Sequence, residues 1–335
     1  MFPAMERRGN FSDADVRYLA NLCHGCAECY YACPYVPPHE FAVNLPRAFA
    51  EIRARSYQQF AWPAGVAKAF RGRGIVAIWI ALLAALSMSV AHIGGAGIYE
   101  VIPHNRMTAI FLLTGALIAG VQWAGLVRFW KDGRQDGRKD ESTGFGRWLQ
   151  PAALGKAIRD VLSLRNLDSR GAGCTYPDER HSRARRRLHH FTFYGFLLCL
   201  ASTTVAAIYH NVFGWTAPYA LASVPVMLGA VGGIGLLIGP AGLLLMKRRR
   251  DSAIVDPKQD GADVGFLILL FLTSFTGLML LALRETPLLG VLLVIHLAVV
   301  LALFVTLPYG KFVHGIYRTA ALMKNALEQA GTRRI

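Results

Sequence analysis

Four cysteines at short, regular spacing are the residues of this 335-residue chain whose types most directly suggest chemistry. Cys23, Cys26, Cys29 and Cys33, followed by Pro34, form a C-x2-C-x2-C-x3-C-P run. Thiolates spaced in this way hold iron–sulfur clusters, whereas a structural zinc site generally uses two separated pairs of ligands. The run therefore predicts a [4Fe-4S] cluster.

The number of cysteines leaves the full ligand set open. Where two clusters are bound, the first three cysteines of such a run bind one cluster and the fourth binds the other. Cys33 is then left over, and the first cluster needs another ligand. Cys174 is either that fourth ligand or an ordinary loop thiol, and Cys199, within an apolar stretch, is expected to be a small buried side chain.

The composition places this run beside a membrane. Hydrophobic residues make up 54% of the chain and charged residues 17%, with a net charge of +15, which excludes a disordered chain and a basic nucleic-acid-binding protein. Uncharged apolar stretches long enough to cross a bilayer predict a mainly α fold, a six-helix transmembrane bundle with a small N-terminal ferredoxin-like segment. The predicted spans are 75–93, 107–127, 191–209, 221–246, 264–283 and 288–309.

The positive charges predict the orientation of the bundle. If both termini are cytoplasmic, every Lys and Arg except Arg106 and Arg284 falls in a cytoplasmic segment, as the positive-inside rule requires. We expect a multi-pass protein of the bacterial inner membrane. Its parts are an iron–sulfur segment (1–70), a transmembrane hairpin (71–130), a basic loop (131–188) and a four-span region (189–335). Glycines spaced by four residues in the fourth span predict close approach of a neighbouring helix.

Four histidines near the spans are candidate haem ligands. His296 and His314 lie 18 residues apart, which on one continuous helix puts them on one face about 27 Å apart. His189 and His210 bracket the third span. The expected pairs are His189 with His314 near the cytoplasmic side and His210 with His296 near the far side, giving up to two bis-histidine haem b sites. The alternative is that histidines at helix ends only reach for the interface.

The other histidines have weaker assignments. His190 fits the pairing less well than His189, and His92 and His104 are reserve ligands, or could line a quinone pocket with Glu100. The remaining three are expected to be ordinary surface or loop residues: His24, His39 and His181.

Several segments resemble the tricarballylate utilization protein B family, known as TcuB or CitB. The resemblance covers essentially the whole chain, and the last span also resembles the haem-bearing helix of the nitrate reductase gamma subunit. The segments that carry it are Phe2–Arg8, Tyr18–His24, Pro37–Asn44, Gly173–Pro177, Arg185–His190 and Phe193–Cys199.

This resemblance implies an electron conduit. A TcuB-like protein takes electrons from the reduced FAD of a soluble dehydrogenase, TcuA, which oxidises tricarballylate to cis-aconitate, and passes them to the membrane quinone pool. Two other functions remain open from the residues. One is a quinol-oxidising anchor that drives a cytoplasmic reductase, and the other is a cofactor-poor membrane scaffold that recruits a dehydrogenase.

The chain departs from the family pattern at its amino end. Family members carry a second cysteine run immediately before the segment that corresponds to Phe2–Met5, whereas here only Met1 precedes it. We expect that this sequence begins late. A cysteine of an upstream run would complete the ligand set of the first cluster. The other upstream cysteines, together with Cys33, would bind a second cluster, and Cys174 would not be needed as a ligand.

Overall fold

The computed structural model describes residues 11–70, 79, 83, 98–132, 150–167 and 174–332. These residues form α-helices joined by turns, with a single isolated antiparallel bridge between Cys174 and Ser182. In chain order the helices are Asp13–Leu22 (α1), Glu28–Tyr31 (α2), Leu45–Phe60 (α3), Ala64–Phe70 (α4), Ile98–Val101 (α5), His104–Asp132 (α6), Pro151–Leu162 (α7), Ala184–Asn211 (α8), Val224–Arg249 (α9), Pro257–Ala282 (α10), Leu289–Thr306 (α11) and Val313–Thr332 (α12).

Among the described residues, five helices are long and apolar enough to cross a membrane: α6, α8, α9, α10 from Asp260 onward, and α11. They coincide with the second to sixth predicted spans, so the helical, multi-pass membrane architecture is confirmed for these five. The first predicted span, 75–93, lies outside the described residues except for Trp79 and Leu83. The predicted total of six spans therefore stays a prediction.

The prediction of one continuous helix through His296 and His314 is wrong. Helix α11 ends at Thr306 and α12 begins at Val313, so the two histidines belong to different helices. Pro308 lies in the break and has no backbone N–H to continue a helix. The amide of Gly310 instead donates to the carbonyl of Thr306 over 2.9 Å, which closes a turn. The calculated common face and separation of the two histidines therefore do not apply.

Glycines bring α8 and α9 into backbone contact. A Cβ on Gly232 would lie 2.8 Å from the carbonyl oxygen of Gly195, and one on Gly235 would lie 3.0 Å from that of Phe191. Gly233 faces the other way, onto Leu278 of α10. The glycines of α9 thus do let neighbouring helices approach, as their spacing predicts.

The polar helices pack on one end of this bundle. Phe60 of α3, Phe129 of α6 and Tyr317 of α12 share a buried cluster, which joins the N-terminal segment to the last helix. On α1, Arg17 binds both carboxylate oxygens of Asp132, at 2.7 and 2.9 Å, at the end of α6. These contacts fix the segment that carries the cysteine run against the bundle.

Candidate functional site

The cysteine run forms a tight loop between α1 and α2. Cys23 caps the end of α1, and Gly25 and Ala27 adopt left-handed backbone conformations, with φ of 59° and 68°. The left-handed region suits glycine because it has no Cβ. The amide of Gly25 donates to the sulfur of Cys23 over 3.4 Å. Hydrogen bonds to cluster sulfurs are one of the ways in which a protein sets a cluster's potential.

The four thiols of the run are close enough to influence one another electrostatically. Burial, followed by the charges of Cys23, Cys26 and Cys33, raises the pKa of the exposed Cys29 to about 11. Among the described residues, no three His, Cys, Asp or Glu side chains are close enough to hold a single metal ion. Four cysteine thiols at this spacing are nonetheless the donor set that ferredoxins use, so the chemistry of the donors fits an iron–sulfur cluster.

Cys174 lies in a segment that contacts the cysteine loop. Its side chain is fully buried, and its thiol donates to the carbonyl of Leu167 over 3.0 Å. The next residue, Thr175, donates its hydroxyl to the carbonyl of Cys26 over 3.0 Å. The segment around Cys174 therefore supports the cysteine loop through Thr175, while the thiol itself is engaged by another backbone group.

Three arginines from three different helices bind the backbone of the cysteine loop. Arg318 of α12 donates to the carbonyl of Cys23 over 2.6 Å, and Arg53 of α3 donates to the same oxygen over 3.2 Å. Arg185 of α8 donates to the carbonyl of Gly25 over 2.6 Å. The loop is thus held by the elements that also form the end of the bundle.

His24, expected to be an ordinary loop residue, is partly buried and faces other parts of the chain. It lines a large cavity together with Gly25. Burial, followed by the charges of Arg318 and Arg185, lowers its pKa well below the usual value. No pattern in the sequence could reveal this position, because the arginines around it come from distant parts of the chain.

This cavity, of about 870 Å³, also contains His189 of α8 and His314 of α12, and we call it the histidine cavity. Its volume lies within the range of about 300–1,000 Å³ that is typical of cofactor sites. Much of the remaining wall is apolar, as at Phe193 and Phe196. The structure thus brings together the two histidines that were paired on the cytoplasmic side.

Both histidines are oriented by backbone carbonyls. Nδ1 of His189 lies 3.2 Å from the carbonyl of Arg185, and Nδ1 of His314 lies within hydrogen-bond distance of the carbonyl of Lys311. An imidazole that donates from Nδ1 keeps the lone pair of Nε2 for a metal, which is the usual arrangement of metal-ligating histidines. Burial, followed by Lys311 and Arg318, lowers the pKa of His314 to about 3. Each of these two imidazoles could therefore present Nε2 to a haem iron.

The histidines predicted for the far side have other neighbours. The ring of His210 stacks on that of His104, with centroids 3.6 Å apart and an angle of 24° between the planes. His296 lies against α10, where its Nδ1 is 2.9 Å from the hydroxyl of Thr276. A Cβ on Gly277 would lie only 2.9 Å from the ring of His296. The pairing of His210 with His296 stays a prediction, and the reserve candidate His104 lies beside His210.

Comparison with known proteins shows similarity along nearly the whole chain. A family model described as Citrate utilization protein B matches residues 68–334, and one described as Citrate utilization protein B Fer4-like domain matches residues 1–59. The chain is 46% identical over 340 residues to the Citrate utilization protein B of Escherichia coli, covering 98% of this chain and 87% of that protein. No solved structure matches the chain.

Proposed function

Because this chain belongs to the citrate utilization protein B family, we propose that it carries electrons from a soluble dehydrogenase to the membrane quinone pool. The donor is the reduced FAD of a TcuA-like enzyme that oxidises tricarballylate to cis-aconitate. The carriers are a [4Fe-4S] cluster and haem b. The protein spans the bacterial inner membrane with both termini in the cytoplasm, as the distribution of its positive charges indicates.

One observation carries this proposal: the cysteine loop forms part of the wall of the histidine cavity. His24 and Gly25, between the first two cysteines of the run, line the same cavity as His189 and His314. When bound, a cluster and a haem would supply two one-electron carriers that are separated by little more than this loop. Such an arrangement suits electron transfer and has no evident use in a passive scaffold.

The proposal assigns each cofactor its ligands in this chain. Cys23, Cys26 and Cys29 would bind the cluster, with Cys33 as the fourth ligand in this chain or as a ligand of a second cluster. His189 and His314 would bind the haem iron through Nε2. The apolar part of the cavity wall would exclude water from the ring and so help to set its potential.

An exposed apolar surface next to the run supports docking of a soluble partner. Tyr35, Phe41 and Val43 follow Cys33 closely and are 49%, 66% and 41% exposed, and the rings of Tyr35, His39 and Phe41 contact one another. Clustered exposed aromatic residues are typical of protein–protein interfaces. A flavoprotein bound here would lie next to the cysteine run, in which Cys29 is exposed.

The test is a spectrum followed by a kinetic experiment. The purified protein should contain iron and sulfide and show a Soret band that sharpens on reduction. Anaerobic mixing with a reduced TcuA-like flavoprotein should reduce the haem, and added ubiquinone-1 should reoxidise it. A colourless preparation after anaerobic reconstitution would contradict the proposal. Faster reduction of the haem by a quinol than by the flavoprotein would reverse the proposed direction.

A replacement on the docking surface gives a separate control. Phe41→Ser should slow reduction by the flavoprotein but leave reduction by dithionite unchanged, because only docking is altered. Equal rates for the variant and the wild type with the flavoprotein would show that the flavoprotein docks on another surface.

A further inference from the structure

Three guanidinium groups converge on the histidine cavity. Arg53, Arg185 and Arg318 all line it. A Cβ built on Gly25 would lie 3.9 Å from Nη2 of Arg53 and 4.0 Å from Nη2 of Arg185, so these two groups flank one point of the loop. Burial is the main cause that lowers the pKa of Arg318 to about 10, and the charges of Arg53 and Arg185 contribute. Three like charges thus lie around one loop, and none of the three side chains is fully exposed.

None of the three has an acidic partner in the part of the chain that the structure describes. Their hydrogen bonds go to backbone carbonyls, those of Ala20, Asn21, Cys23 and Gly25. Other cations on the cavity wall are paired. Lys311 lies 2.8 Å from Asp263, and Lys247 and Arg250 both bind Asp260. On the described part of the cavity wall, these three arginines are therefore the cations without a carboxylate partner, and the guanidinium of Arg185 also lies over the ring of Tyr176, 4.5 Å from its centroid.

A group of three arginines without carboxylate partners would be stabilised by a bound anion. Burying a charge is costly unless an opposite charge and hydrogen bonds compensate for it. Each guanidinium has five N–H donors in a planar fork that matches a carboxylate, and the carbonyls engage one or two nitrogens of each group. Donors thus remain available for a ligand within the cavity.

We propose that Arg53, Arg185 and Arg318 form a binding site for the paired carboxylates of a ligand that occupies the histidine cavity. The apolar wall and the two histidines favour the propionates of a haem over a free di- or tricarboxylate. That choice rests on the proposed function, whereas the carboxylate site itself does not. The arginines would set the orientation of the macrocycle, with its acidic edge against the cysteine loop.

The experiment compares two forms of one ligand. The full chain in detergent, stripped of haem, is titrated with haem b and with its dimethyl ester, and binding is read from the Soret band. Hydrogen bonds to charged groups contribute about 1.5–3 kcal/mol, so the wild type should bind the free acid roughly 10- to 100-fold more tightly than the ester. Arg318→Gln and Arg185→Gln should lose most of this preference, and Arg318→Lys should keep part of it.

Arg186→Gln is the matched control. It lies on α8 beside Arg185, but its guanidinium donates to the carbonyl of Ser163. This variant should keep the wild-type preference for the free acid. Size-exclusion chromatography and iron content establish that each variant is folded.

Equal affinity of the wild type for acid and ester would overturn the proposal. It would also be overturned if the arginine variants keep the preference and only shift the midpoint potential of the cluster, since the arginines would then balance the cluster's charge. If the chain binds no haem, the haem part of the proposed function fails. Calorimetry with tricarballylate then decides whether the three arginines bind a free carboxylate ligand. Binding that is lost in Arg318→Gln supports a site for free carboxylates, and no binding overturns this inference too.

Discussion

Arg318 donates a hydrogen bond of 2.6 Å to the backbone carbonyl of Cys23, a residue 295 positions earlier in the chain. One helical turn before Arg318, the same helix carries His314, which lines the histidine cavity. A single helix therefore touches the loop of the predicted cluster and contributes a predicted haem ligand. Helix α12 therefore fixes the position of His314 relative to the cysteine loop. Variants of single residues can then test the predicted cluster and the predicted haem separately.

Variants of the cysteines should distinguish ligands from supporting residues. Cys26→Ser should abolish the low-temperature electron paramagnetic resonance signal of the reduced cluster, because serine is a poor replacement for a thiolate ligand. Cys174→Ser should keep that signal, since the buried Cys174 thiol donates to Leu167 and a hydroxyl can do the same. Loss of the signal in both variants would make Cys174 a ligand.

The two histidines of the cavity should both be needed for haem. His189→Ala and His314→Ala should each lose the near-side haem, read as the ratio of Soret absorbance to protein. His190→Ala is the matched control, because its ring stacks on Tyr194 with centroids 5.8 Å apart and does not line the cavity. A normal haem ratio in His314→Ala would refute this ligand pair.

The far-side haem, if present, should depend on His296. His296→Ala should lower the haem-to-protein ratio while the cluster signal stays unchanged, because this ring lies in a membrane helix away from the cysteine run. His104→Ala and His210→Ala then identify its partner, since these two rings stack on each other. An unchanged ratio in His296→Ala would leave the near-side site as the only haem site.

How much could be predicted from sequence depended on the range of the interactions. Five spans and the glycine contacts follow from hydropathy and local spacing, so they were predictable. The break between α11 and α12 was missed although Pro308 and Gly310 mark it, because the helix was continued through both residues to reach His314. The expected pairing of His296 and His314 on one helix thus outweighed the local helix-breaking signal of Pro308 and Gly310.

The site itself depends on contacts that no local pattern encodes. The spacing of the cysteines predicts their grouping, but nothing near Arg53 or Arg318 in the sequence indicates that both bind the carbonyl of Cys23. For the same reason the sequence predicts only an ordinary loop residue at His24. Burial of a single polar side chain depends on which distant helices pack over it.

The ion pair between Arg17 and Asp132 should hold the N-terminal segment on the bundle. Both side chains are mostly buried, 20% and 14% exposed, and the contact is bidentate. Asp132→Asn should cost roughly 1.5–3 kcal/mol of local stability, read as faster limited proteolysis of the N-terminal segment. Asp13, 98% exposed and 3.9 Å from the same arginine, provides the control. If Asp13→Asn has an equal effect, the pair with Asp132 has no special role.

Close packing of α8 on α9 should make Gly232 intolerant of even one methyl group. A Cβ there would lie 2.8 Å from the carbonyl of Gly195 and 2.9 Å from the amide nitrogen of Cys199, and neither backbone atom can move without the helix. Gly232→Ala should therefore destabilise the protein by about 1–3 kcal/mol, the range for overpacking, measured by thermal unfolding in detergent.

Gly115 on α6 provides the same substitution in open space, with nothing within 4 Å of its added Cβ. Since alanine favours a helix over glycine by about 0.8–1.0 kcal/mol, Gly115→Ala should be neutral or slightly stabilising. Gly232→Ala should thus lower the unfolding temperature, whereas Gly115→Ala should leave it unchanged or raise it slightly. Because α8 begins with the segment that carries Arg185 and His189, Gly232→Ala should also weaken haem binding. Normal stability and normal haem content in that variant would show that α8 and α9 are not held at backbone contact.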